Sequence, residues 1–156
     1  MTKNAENLTG VRIHPPVLTL VHLLAAFLLG WLVPLPVPAA GWVALAGWLI
    51  AAAGLALAFW AISHFRRSET TLDPHGGTTT IVTTGPYRFS RNPIYVGYVL
   101  LLVGFPLSIN IYWGLVLAPT LIALMNRLVI EYEETYLAKQ FGQQYLGYKS
   151  KVRRWV

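Results

Sequence analysis

The stretch GWVALAGWLIAAAGLALAFWAI, residues 41–62, contains no charged side chain over its whole length. As a helix rising 1.5 Å per residue it would measure about 33 Å, enough to cross a hydrocarbon core of roughly 30 Å. It has three apolar companions, at about 17–33, 94–109 and 111–130. The third of these is short for a span, and the fourth carries Asn126 and Arg127 near its end. Only 12% of the 156 residues are charged and 55% are apolar. The charged share is about half the ordinary value for a soluble domain, roughly 25%. These features predict one all-α integral membrane domain over 1–156, with four transmembrane helices.

The basic residues set the expected topology. Lys3 and Arg12 precede the first helix, and Arg66, Arg67, Arg88 and Arg91 flank the connection between helices two and three. Arg127 sits at the border of the fourth helix and Lys139, Lys149, Lys151, Arg153 and Arg154 follow it, whereas 34–40 and 108–110 carry no basic residue. An excess of Lys and Arg marks cytoplasmic segments, so both termini and the 63–93 loop are expected on the cytoplasmic side. The net charge of +6 is thereby explained as a topological signal, and a nucleic-acid partner is not expected. A cleaved signal peptide is disfavoured, because the first apolar run exceeds a signal core and Pro38 stands where a small residue is wanted.

Between the helices the punctuation is clear. Pro34, Pro36 and Pro38 remove backbone donors and exclude helix, which makes 34–38 a rigid link. Helix two repeats small residues (Gly41, Ala44, Gly47, Ala51, Gly54, Ala58), a pattern that lets helices approach closely. From 69 to 93 the chain turns to Asp73-Pro74, Gly76-Gly77, Gly85-Pro86 and Asn92-Pro93, all turn formers, with an extended β-branched run expected at 78–84. A loop this long inside a compact domain is commonly functional. Beyond Arg127, Leu137, Phe141, Tyr145 and Tyr148 recur at helical spacing, predicting an amphipathic tail helix over about 131–149. Trp155 and the two arginines before it are expected at the lipid headgroups.

Two clusters can carry chemistry, and the topology brings both to one membrane boundary. The first is Gly85-Pro-Tyr-Arg-Phe-Ser-Arg-Asn-Pro-Ile-Tyr-Val-Gly97. Pro93 suits the first turn of a helix and Asn92 suits its cap. The second is Glu133-Glu134-Thr-Tyr-Leu137 with Phe141-Gly142 and Tyr145-x-x-Tyr148. Carboxylates at the end of a membrane helix are costly unless solvated or paired, so a cation is expected nearby. Arg88, Arg91 or a ligand's amino group would serve. The chain has no cysteine, which excludes disulfides and thiol nucleophiles. No metal site is expected, since His64, Asp73 and His75 match no ligand spacing. Gly76-Gly77 lacks any surrounding nucleotide-binding pattern.

Together the two clusters resemble the integral membrane methyltransferases of the isoprenylcysteine carboxyl methyltransferase and phospholipid N-methyltransferase group, over about 78–155. The shared pattern is a threonine/valine lead, Gly-x-Tyr, Arg-(His/Asn)-Pro-x-Tyr-x-Gly, a helical hairpin, and Glu-Glu-x-x-Leu-x-x-x-Phe-Gly-x-x-Tyr-x-x-Tyr. The resemblance implies S-adenosylmethionine as cofactor, held by Thr79, Thr80, Ile81, Val82, Tyr87, Asn92, Pro93, Ile94, Tyr95 and Glu133. Within that set it makes Glu133, Asn92 and Tyr95 the catalytic candidates, with Glu133 pairing to the cofactor's amino group. Arg88 and Arg127 are the residues it leaves for the acceptor, a lipid-like or amphiphilic molecule. Two positions depart from the isoprenylcysteine enzymes. Asn92 stands for their usual histidine, and Val129 occupies the place of an arginine four residues before the first glutamate. Both shift the expected acceptor away from isoprenylcysteine.

Two rival readings start from the same residues. Membrane sterol and steroid reductases that use NADPH carry a similar Arg-(His/Asn)-Pro-Asn-Tyr signature, but Ile94 replaces the asparagine here. A non-enzymatic membrane protein is the other alternative.

Overall fold

The computed structural model describes residues 13–67 and 81–156. Among them every regular element is helical. Helix α1 (Pro15–Leu32) opens on two prolines, whose missing donors cost nothing in a first turn. It stops just before the Pro34 link, and α2 (Gly41–Arg67) follows. A short 3-10 turn (Gly85–Arg88) leads into α3 (Pro93–Leu107), and α4 (Trp113–Met125) completes the hairpin. Of the extended run expected at 78–84, residues 78–80 lie outside the described residues, and 81–84 pair in no strand although Thr84 has an extended backbone.

Helix α4 does not end where its apolar run ends. It passes through one π turn (Asn126–Ile130) into α5 (Glu131–Phe141), forming a continuous rod of 29 residues. At 1.5 Å per residue this rod measures about 43 Å, so its last turns project beyond the hydrocarbon. The tail expected as one helix over 131–149 is two. Gly142 takes a positive φ of 51° and breaks it, and α6 (Gln143–Lys151) continues in a new direction. The face drawn through Leu137, Phe141, Tyr145 and Tyr148 is therefore not one helical stripe.

Three helices are long and apolar enough to cross a membrane: Pro15–Leu32, Gly41–Arg67 and Trp113–Phe141. Helix α3 is apolar but has only 15 residues. Their outward faces are unlike those of a soluble protein. Trp31, Trp42 and Phe59 are each at least three-quarters exposed, amid a belt of exposed leucines and valines. A continuous apolar exterior of this kind needs a lipid solvent. Trp31 and Trp42 lie beside the Pro34 link, where indoles suit the membrane–water interface.

The core is organised around α3, which packs on α2, α4 and α1. The tightest pairing is α2 with α3, along a seam of small residues. Gly47, Ala51, Gly54 and Ala58 are buried on α2, and Gly97 and Gly104 are buried on α3. Gly41, at the start of the same repeat, has nothing near it and takes no part. Within lipid there is no hydrophobic drive between helices, so close backbone packing has to supply the attraction. A Cβ on Gly54 would stand 2.8 Å from the carbonyl oxygen of Gly97 and 2.9 Å from Leu100 Cβ. Gly54→Val is thus expected to lower stability by about 2 kcal/mol through overpacking, read as a fall in the thermal midpoint in detergent. An unchanged midpoint would dissolve the seam argument.

The two links at the end away from the loop are tied to each other. Asn110, at a left-handed φ of 60°, accepts the amide of Ala40 on its side-chain oxygen at 3.1 Å. Trp113 Nε1 donates to the carbonyl of Val33 at 2.8 Å. The charged side chains among the described residues all lie at the opposite end of the bundle.

Candidate functional site

At that end stand Arg66, Arg67, Arg88, Arg91, Arg127 and all the described basic residues after them, with Glu131, Glu133 and Glu134. Two adjacent glutamates on α5 have separate partners. Glu133 Oε1 accepts a 2.6 Å hydrogen bond from the Tyr95 hydroxyl on α3. Glu134, buried, lies among three cations. Arg91 Nη2 approaches it at 3.0 Å, Lys149 Nζ at 2.9 Å, and Arg154 at 2.9 Å through Nε and 3.0 Å through Nη2. The side-by-side Arg154 contact is the fork geometry that guanidinium offers a carboxylate. Neighbours on a helix point about 100° apart, so one residue can face α3 while the next faces the tail.

The first cluster is held from below and above. Val82 and Tyr87 are buried with Ala61 of α2, and Phe65 and Ile94 pack against them. Gly85 has a positive φ of 59°, and a Cβ there would meet the His64 ring at 2.9 Å. His64 Nε2 lies 2.8 Å from the Thr84 hydroxyl, which joins the end of α2 to the turn. On the other side the chain's last residues close over residues 90–92. The Arg91 amide donates to the Arg153 carbonyl at 3.0 Å. Ser90 Oγ and Asn92 Nδ2 donate to the Arg154 carbonyl at 3.3 and 2.9 Å. Tyr148 donates to the Tyr87 carbonyl at 2.7 Å.

The phenols around this region are neutral donors at ordinary pH. Burial pushes Tyr145 and Tyr148 up to about 12. Tyr87 is raised further, by burial first and then by Tyr148 and Glu133. The hydrogen bonds to Glu134 raise the Arg154 guanidinium above its already high value, so it stays charged.

The expected site residues are distributed as follows. Val82, Tyr87 and Ile94 share one apolar cluster, and Tyr95 pairs with Glu133. Pro93 is buried at the start of α3, and Ile81 is half-buried before the turn. Asn92 occupies the cap position, but its side chain makes no capping bond and is spent on the Arg154 carbonyl. Arg88 and Arg127 are exposed, the first ending the 3-10 turn and the second on the π turn. Thr79 and Thr80 lie outside the described residues, as do Asp73 and His75.

Two residues of the tail have defined partners within the bundle. Arg154 is engaged by Glu134. Trp155 packs against the core beside α4 and donates from Nε1 to Asn126 Oδ1 at 3.1 Å. The expected cation beside the glutamates proves to be Arg91 rather than Arg88, and Lys149 and Arg154 join it. Sequence reading missed the Glu134 hub. The one available signal was a buried-type demand for cations at a helix end followed by an unusually basic tail.

The donor set fits a cationic, partly apolar ligand. A carboxylate oxygen fixed by a phenol suits an ammonium group. The Val82–Ile94 surface offers an apolar wall.

An uncharacterized protein of Haemophilus influenzae (strain ATCC 51907 / DSM 11121 / KW20 / Rd) is 36% identical over 66 residues, covering 40% of this chain and all of that protein. No solved structure matches the chain. The family described as phospholipid methyltransferase matches residues 42–144, a span that runs from α2 through the first cluster and the Glu133–Gly142 part of the second to the start of α6. The chain belongs to the phospholipid methyltransferase family.

Proposed function

We propose that the protein transfers the methyl group of S-adenosylmethionine to a lipid-like acceptor at the cytoplasmic face of its membrane. The observation that carries this reading is the 2.6 Å bond between Tyr95 and Glu133, which joins the two motif clusters at one end of the bundle. Membership of a methyltransferase family supports the reaction type. S-adenosylmethionine supplies an electrophilic methyl on a sulfonium. Glu133 would accept the cofactor's ammonium on Oε2, while Tyr95 holds Oε1 and so fixes the carboxylate. Tyr87, Val82 and Ile94 would line the adenosyl side and exclude water. Alignment and dryness contribute most to such a displacement; a carboxylate acceptor needs no base, whereas an amine acceptor must release a proton to water before or during the transfer.

Helix α3 is read as the fourth span, about 22 Å long and completed by the turn and loop at its start. The described lysines and arginines all lie at the site end, which supports a cytoplasmic site by the positive-inside rule. An acceptor would then arrive laterally from the bilayer. A phospholipid amine and an isoprenylcysteine-like carboxylate both remain within this class, and they give different products.

The test is methyl-labelled S-adenosylmethionine with purified protein and bilayer lipid extract. Label is expected in the lipid phase, and absent with Glu133→Gln. Base-stable label marks an N-methyl product and base-labile label an ester. Binding of NADPH in place of the methyl donor would overturn the reading.

A further inference from the structure

We propose that Arg154 is a positioning residue for the Tyr95–Glu133 pair, acting from the C-terminal strap; this rests on the methyl-donor reading above. Helix α5 is a projecting element. Its extensive contacts are with the π turn before it and α6 after it, so packing alone does not set its rotation relative to α3. The π turn shifts the helical phase of α5 relative to α4, and side-chain links hold α5 in that phase against α3.

Arg154 makes two such links at once. Its guanidinium grips Glu134 through Nε at 2.9 Å and Nη2 at 3.0 Å, fixing the residue next to Glu133. Its main-chain carbonyl accepts Asn92 Nδ2 at 2.9 Å and Ser90 Oγ at 3.3 Å, fixing the residue that opens α3 three positions before Tyr95. One residue of the tail therefore bridges the two elements that carry the hydrogen-bonded pair. Trp155 anchors the bridge from beyond, through Asn126 on the π turn itself. Arg91 adds a second strand to the same knot, since its amide holds Arg153 and its Nη2 meets Glu134.

Arg154→Gln removes the grip on Glu134 and leaves the backbone carbonyl in place. The dissociation constant for S-adenosylmethionine is expected to rise roughly tenfold, with the KM for acceptor unchanged, because the displaced carboxylate serves the donor. Arg154→Lys, which keeps the charge and one donor, should recover most of that loss. A 3-fluorotyrosine in place of Tyr95 gives a readout that does not need the donor: its fluorine resonance should shift in Arg154→Gln and return in Arg154→Lys. Trp113→Phe, which loses a hydrogen bond at the far end, serves as a control matched for thermal midpoint. Its resonance and donor affinity should stay at the wild-type values.

An unmoved resonance in Arg154→Gln overturns the proposal, as does a moved resonance with unchanged donor affinity. Equal loss in Trp113→Phe also overturns it, by reducing the effect to general destabilisation. Wild-type protein that binds no donor overturns the methyl-donor reading alone, and the resonance still decides whether Arg154 holds the pair.

Discussion

Glu133→Gln is expected to remove methyl-donor binding and turnover while leaving the fold intact. The carboxylate is held by a phenol at 2.6 Å and has no cation of its own among the described residues, where Arg91, Lys149 and Arg154 all converge on Glu134. A ligand ammonium is the partner its chemistry calls for. Losing one member of a desolvated charge pair costs about 2–3 kcal/mol, or roughly a hundredfold in dissociation constant. The fold should not suffer, because an uncompensated carboxylate at a membrane helix end is itself costly and glutamine keeps its shape. Tyr95→Phe should weaken binding less, by about 1 kcal/mol, and the double variant should fall short of the sum. Equilibrium binding of labelled S-adenosylmethionine in detergent, alongside thermal midpoints, checks all three. Full affinity in Glu133→Gln would remove this residue from the site.

The neighbouring glutamate is expected to behave in the opposite way. Glu134→Ala should cost stability first, by about 3 kcal/mol, because it strands a buried guanidinium. The Arg91 side chain is only 9% exposed, and its Nε and Nη1 already lack hydrogen-bond partners. Lys149 and Arg154 reach water more freely and would relax outward. Adding Arg91→Met to Glu134→Ala should restore part of the loss, since an apolar side chain no longer needs a counter-charge there. A thermal midpoint unchanged by Glu134→Ala would show that the cluster is solvated and unimportant to the fold. Two adjacent residues of the same type would thus separate into a ligand-binding group and a structural hub.

How far this was legible in advance differs by residue. The spacing Glu133-Glu134 was visible, and so was the need for a nearby cation. Which glutamate received it was not. Assigning partners required the phase of α5, and that phase follows from a π turn at Asn126–Ile130 that no residue pattern announced. Asn92 shows the same limit. Its place before Pro93 marks a helix start, yet its amide is directed to a carbonyl 62 positions away rather than to its own helix. The small residues of α2 were legible as a packing face, but only the fold selects Gly47 and Gly54 and leaves Gly41 unused.

Hydropathy, helical class and the gathering of basic residues at one end were determined by the sequence itself. Each is a sum over local composition, and solvent transfer acts on composition wherever the neighbours lie. The family resemblance carried by the two motifs belongs to the same level. The tertiary structure alone decided that Arg154 pairs with Glu134 and Trp155 with Asn126, that Gly142 splits the tail, and that Tyr95 meets Glu133 rather than Glu134. These are contacts between elements tens of residues apart. Their outcome depends on accumulated helix phase, where one extra residue in a turn moves every following side chain by about 100°.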